Sequence, residues 1–191
     1  ETPMTCPRSR LNWLQVTGCL VAALLCLQLL ILPAWATSEQ DQLFEALKNA
    51  PNEEAASKIE DSIWHTWLDA APTPEIRQKV DEAMRKRGSY DFQGAKDLLD
   101  TVVEEAPDYS EGWNQRAFIL FLQGNYEGSL KDIERALALE PRHFGALSGK
   151  AIIFMTLGRV QLGQEVLREA VGIHPYLKER DMLIEPQGVD L

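Results

Sequence analysis

Three histidines, His65, His143 and His174, are the side chains best suited to proton transfer or metal ligation near neutral pH. None belongs to a His-Glu-x-x-His or similar ligand pattern, and they stand far apart in sequence. His143 and His174 fall in or beside turns, where an isolated histidine is more often a surface or turn residue than a ligand. Gly145-Ala146-Leu147-Ser148-Gly149-Lys150 has the flavour of a phosphate loop. It is one residue short, is followed by Ala151, and lies where the periodicity demands a helix, so it reads as coincidence. The adjacent carboxylates Glu53 and Glu54, and Glu104 and Glu105, lie near helix ends and read as solvated charge. Every cysteine (Cys6, Cys19, Cys26) precedes residue 37, which leaves the rest of the chain without a thiol nucleophile, a disulfide or a thiolate metal site. With no nucleophile elbow and no dinucleotide loop either, the reading is of a protein that is not an enzyme, with no catalytic residues, no metal and no cofactor.

What the chain does carry is a period. Pro107, Pro141 and Pro175 stand 34 residues apart, and each closes a stretch that reads as two amphipathic helices. The columns agree in phase across three units: Ala83, Ala117 and Ala151; Phe92, Tyr126 and Val160; Ala95, Ser129 and Gly163; Leu99, Ile133 and Leu167; Val102, Ala136 and Ala170; Val103, Leu137 and Val171. Small residues at fixed points let two helices approach closely, and the larger apolar ones fill the space between units. The prolines cannot continue a helix, so they end the second helix of each unit. A unit of this kind buries its apolar face only against its neighbours, which makes the array a scaffold.

These columns resemble the tetratricopeptide repeat. The middle unit carries the likeness best, in Trp113, Ala117, Leu120, Gly124, Tyr126, Ala136 and Pro141. The third unit has Leu147 for Trp and Val160 for Tyr; the first has Lys79 and Lys86 at two usually apolar positions. The resemblance implies an all-α, right-handed α-solenoid of three helix-turn-helix units, about 76–109, 110–143 and 144–177, with N- and C-terminal helical caps. It also implies that the first helix of each unit lines a concave groove, placing Met84, Arg87, Asn114, Phe118, Phe121, Ser148, Ile152 and Met155 on a partner-binding face. Family members that grip a C-terminal carboxylate use Lys, Asn and Arg at matching positions; here Val80, Met84, Gln115 and Gly149 stand there instead. The groove would then offer an apolar strip with a few polar neighbours, suited to an apolar helix or an extended peptide.

Upstream of the repeats, residues 37–72 read as a helical hairpin. Leu43, Phe44 and Leu47 mark its first helix, Asn52 can cap the second, and Ala56, Ile59, Ile63 and Trp67 recur at helical steps, with Trp64 widening the stripe. One reading makes this hairpin a cap on the exposed edge of the stack; another makes Trp64 or Trp67 a partner anchor; a third folds the hairpin back into the groove and turns Phe118 and Phe121 into core. Residues 177–191 read as a short capping helix and a tail.

The first 36 residues form a basic start (Arg8, Arg10), an apolar run from Val16 to Leu32 and an Ala34-Trp35-Ala36 end, the pattern of a secretory signal peptide; Met4 is a candidate start. The alternative is an uncleaved membrane anchor. The chain holds 19 Lys and Arg against 29 Asp and Glu, a net charge of −10, and loss of the leader would leave it one charge more negative. That sign opposes nucleic acid and anionic lipid headgroups. The whole is similar to short exported tetratricopeptide proteins of Gram-negative bacteria. The expectation is a periplasmic, non-catalytic adaptor or scaffold of the cell envelope with a protein or peptide partner. Its alternatives are a membrane-tethered assembly or chaperone factor and a regulatory subunit of an envelope enzyme, such as one acting on peptidoglycan.

Overall fold

A computed structural model of the chain describes residues 38–184. The expected leader and the tail from Pro186 lie outside them. Helices α1 (Glu39–Lys48) and α2 (Glu53–Asp69) form a first hairpin. Three more follow: α3 (Pro74–Gly88) with α4 (Phe92–Glu105), α5 (Ser110–Leu122) with α6 (Tyr126–Leu139), and α7 (Phe144–Thr156) with α8 (Val160–Ile173). A short 3-10 turn over Lys178–Met182 stands where a capping helix is expected. The described residues are all-helical, and α4, α6 and α8 each stop two residues before one of the three spaced prolines.

Local chemistry sets the helix starts. Ser38 and Asp41 form a reciprocal capping box on α1, and Asn52 Oδ1 accepts from the Ala55 amide at 2.9 Å. Thr73 caps α3, with Pro74 supplying a preset φ at the first helical position. Asp91 and Asn125 repeat one role a unit apart, accepting from the amides of Gly94 and Gly128 at 2.9 and 3.0 Å.

Packing follows the columns. Ala83, Ala117 and Ala151 are buried, as are Ala95, Ser129 and Gly163 on the facing helices. Ser129 Oγ donates to the Ala117 carbonyl at 2.7 Å, and a Cβ on Gly163 would stand only 2.9 Å from the Ala151 carbonyl oxygen. Smallness in these two columns is therefore what lets the helices of a unit meet. Leu99, Ile133 and Leu167 lie in the core below them. The column of Phe92, Tyr126 and Val160 loosens to an exposed Val160 in the third unit. In the first unit, Lys79 and Lys86 keep half-buried stems and spend their charges on Glu105 at 2.6 Å and Asp91 at 2.7 Å.

The turn inside each unit needs one residue at positive φ. Gly124 and Gly158 supply it at 76° and 75°, whereas the first unit places Tyr90 there at 64°. A tyrosine in the left-handed region costs about 1–2 kcal/mol, and Tyr90 is 82% exposed, with little packing to offset that. Tyr90→Gly should therefore raise stability by about 1 kcal/mol, read as a higher denaturation midpoint at unchanged slope.

The turns between units hold a column that the sequence reading passed over. Tyr109, His143 and Leu177 stand at the same point of successive turns, and all three are buried. Of the expectation that His143 and His174 are surface or turn residues, the surface part is corrected: they are 0% and 1% exposed. They sit in turns, but each turns its side chain inward to the N-terminal hairpin, His143 onto Trp67 and His174 onto Glu60.

The N-terminal hairpin does more than cap an edge. Its linker end touches the first unit, where Tyr109 Oη donates to the Leu68 carbonyl at 3.1 Å and Arg77 pairs with Asp69. Its body runs across the inner face to the third unit. Phe44, Leu47, Ile63 and Trp67 share one core with Phe144, Leu147 and Leu167. Trp67 stacks on the His143 ring at 3.9 Å, and Trp64 lies on Gly145, where a Cβ would stand 2.7 Å from the indole. Polar contacts pin the same span: Gln40 donates to Glu140 at 2.6 Å, Arg142 pairs with Asp41 at 2.8 Å, and Arg180 pairs with Glu53 at 3.3 Å. The N-terminal hairpin and the C-terminal segment, expected at opposite ends of the stack, meet here.

Candidate binding groove

The inner face between the units and the hairpin encloses a half-open cavity of ≈ 370 Å³. Helix α3 contributes Met84 and Arg87, α5 contributes Asn114, Phe118 and Phe121, and α7 contributes Ser148 and Ile152. Those seven residues come together as the groove reading expects. Met155 does not join them: it fills the space over Gly163, and its sulfur accepts from Gln164 Nε2 at 3.4 Å. Further walls come from outside the repeat helices: Trp64 of α2, which the sequence reading offered as a partner anchor, and Glu60, Leu177, Lys178 and Glu179, which it did not single out. No spacing in the sequence links those segments.

Folding back of the hairpin has not converted the aromatic strip to core. Phe118 remains 44% exposed and Phe121 half-buried, their rings nearly parallel with centroids 6.4 Å apart. The Arg87 guanidinium lies 4.9 Å from the Phe118 ring centre, and its Nη1 donates to Gln115 Oε1 at 2.7 Å. Burial pulls the Arg87 pKa below its ordinary value. Among the described residues no carboxylate forms an ion pair with it. The positions matching a C-terminal carboxylate clamp are otherwise engaged: Val80 is in the core, and Gln115 is committed to Arg87 and Glu111.

Beneath the groove lies a polar network built around Glu111, a residue on the buried side of α5. The Ala146 amide donates to His143 Nδ1 at 3.3 Å, so the ring proton resides on Nε2 and is donated to Glu111 Oε2 at 2.8 Å. Asn114 and Gln115 also donate to the same carboxylate, at 3.0 and 2.5 Å. Both histidine nitrogens are occupied and the pair is 0% exposed, so it acts as a structural tie rather than as a base. The two residues are 32 apart in sequence, one on a helix and one in a turn, which explains why no motif exposed them.

A second tie crosses to the hairpin. His174 Nε2 donates to Glu60 Oε2 at 3.1 Å, and Trp64 Nε1 donates to Glu60 Oε1 at 3.2 Å. The His174 hydrogen bond, more than any other cause, holds the Glu60 carboxyl below its ordinary pKa. A carboxylate with a depressed folded pKa contributes stability above its unfolded pKa and loses it as pH falls through the folded one. Acidification through and below the ordinary glutamate range should therefore loosen the hairpin. Glu60→Gln should flatten that part of the stability-against-pH curve, measured by denaturation at a series of acid pH values.

Among the described residues there is no group of three or more His, Asp or Glu side chains that could hold a metal ion, and no helix long and apolar enough to cross a membrane. The Gly145–Lys150 stretch lies within α7, as the period requires.

The family model for the tetratricopeptide repeat matches residues 110–143, the middle unit. A TPR repeat-containing protein of Rhizobium etli is 39% identical over 137 residues, covering 71% of this chain and 66% of its own length. A tetratricopeptide repeat protein 36 homolog of Nematostella vectensis is 30% identical over 70 residues, covering 37% of this chain and 38% of its own. The crystal structure of the Sgt2 TPR domain from Aspergillus fumigatus superposes with a TM-score of 0.51 at 20% identity, over 63% of this chain and 91% of that one. The class that hairpins, turns and small-residue columns define is the helical repeat scaffold. This chain is a tetratricopeptide-repeat protein, of a fold that generally mediates protein–protein interaction.

Proposed function

We propose that this protein is a non-catalytic adaptor of the bacterial cell envelope that captures an apolar segment of a partner protein in the groove lined by Met84, Phe118, Phe121 and Ile152. The observation that carries this reading is the survival of an open aromatic strip after the hairpin has folded back. A protein seldom leaves an exposed phenylalanine stacked on a half-buried one beside a cavity without a use for them. The basic, apolar and Ala-x-Ala pattern of the first 36 residues supports export to the periplasm, and the absence of cysteine beyond Cys26 suits an oxidising compartment.

The test is affinity isolation of the tagged protein from solubilised envelopes, with a Phe121→Ala variant in parallel. A stoichiometric partner should be recovered with the parent protein and lost with the variant, since an aromatic anchor at an interface centre contributes about 2 kcal/mol or more. Equal recovery with both, in a variant that keeps its helicity, would remove the groove from the account.

A further inference from the structure

We propose that the segment this groove accepts carries an acidic side chain, Asp or Glu, next to a bulky apolar one, with Arg87 as the residue that selects the acid. The inference rests on the groove reading above and adds the charge of the ligand to it. Arg87 stands on the wall of the cavity, with its guanidinium over the ring of the partly exposed Phe118. A guanidinium has five N–H donors, and the protein acceptor given to Arg87 among the described residues is the neutral Gln115 Oε1. The nearby Glu111 is already committed to His143, Asn114 and Gln115 below the floor.

The contrast with the other arginines is sharp. Arg116 grips Asp132 through two nitrogens at 2.7 and 2.8 Å and reaches Asp100 at 3.1 Å. Arg77, Arg85, Arg135, Arg142 and Arg180 also pair with carboxylates, and the two other described arginines that do not, Arg159 and Arg168, are exposed. Arg87 is a half-buried cation on the wall of an apolar pocket that forms no ion pair among the described residues; Glu111 supports its charge only from beyond contact, with Gln115 hydrogen-bonded to both. Partial burial of a charge with no carboxylate in contact is unfavourable, and an incoming carboxylate would relieve it by a charge-assisted hydrogen bond. The adjoining Phe118 and Phe121 faces then take the apolar neighbour of that acid. A chain-terminal carboxylate is the poorer fit, because Val80, at a position that would clamp it, is buried in the core.

The experiment is selection of phage-displayed random peptides on the native protein purified from cells, repeated on Phe121→Ala, Arg87→Gln and Arg87→Glu variants whose helicity has been verified. The parent should enrich peptides pairing an apolar residue with Asp or Glu. Changing that acid to its amide in a synthetic hit should weaken binding roughly tenfold. Arg87→Gln should erase the acidic preference, and Arg87→Glu should turn it toward Lys and Arg. Enrichment that depends on Phe121 but shows no charge preference in parent or variants would overturn the role given to Arg87 and leave the groove standing. Enrichment indifferent to Phe121→Ala would overturn the groove reading, and this inference with it.

Discussion

Trp67→Ala should lower the free energy of unfolding by about 3–5 kcal/mol, the range for emptying a well-packed aromatic site. Trp67 is 4% exposed, stacks on His143, and meets Phe144 with ring centroids 5.0 Å apart. With Trp64, Ile63 and Glu60, it holds α2 to the third repeat. Its loss should therefore do two things that an ordinary core truncation would not. The groove would open at its third-repeat end, and the Trp64 contribution to the fluorescence, isolated by comparison with a Trp113→Phe background, would shift toward that of an indole in water. The indole Nε1 of Trp67 is buried without an acceptor, so part of the stacking energy is already spent on that orphan group. Trp67→Phe, which removes the orphan along with some area, should cost less than half as much as alanine. Chemical denaturation of the three proteins checks both statements.

Glu111→Ala is expected to be comparably severe, about 3–5 kcal/mol, because each buried donor left without an acceptor costs about 1–3 kcal/mol. It strips three donors of one acceptor: the His143 ring N–H and the side-chain amides of Asn114 and Gln115. Each would be left inside the protein without a partner, and Asn114 and Gln115 form part of the groove wall. Glu111→Gln keeps the volume and one carbonyl oxygen and should cost much less. The larger loss in alanine than in glutamine separates a hydrogen-bonding role from simple space filling. If the two substitutions were equally mild, Glu111 would not be the tie that this geometry makes it.

How far these features could be read from sequence depends on whether they repeat. The small-residue columns and the proline terminators recur at a fixed period, so helix pairs, their boundaries and their contacts were legible together. Seven of the eight positions that the family resemblance placed on the inner face line the cavity. Met155 escaped because facing inward on α7 does not decide between the groove and the cleft toward α8, and the bare Gly163 opened that cleft. The turn column of Tyr109, His143 and Leu177 was periodic too, yet its chemically unlike side chains hid a shared inward orientation. The hairpin was legible as two helices with a buried tryptophan stripe. Its destination was not, because helical periodicity says that a face is covered and not what covers it. The fit of Trp64 to the missing side chain of Gly145 is a property of two surfaces far apart in the chain.

The pocket exists only if α2 lies along the inner face and reaches α7. Nuclear Overhauser contacts between tryptophan ring protons and the third repeat test that placement most directly. The account predicts cross-peaks from Trp64 to Gly145 Hα and from Trp67 to the His143 ring, in the absence of any ligand. Cross-peaks from both indoles to Ile76 and other α3 residues, with none to α7, would put the hairpin back on the edge of the stack and contradict it.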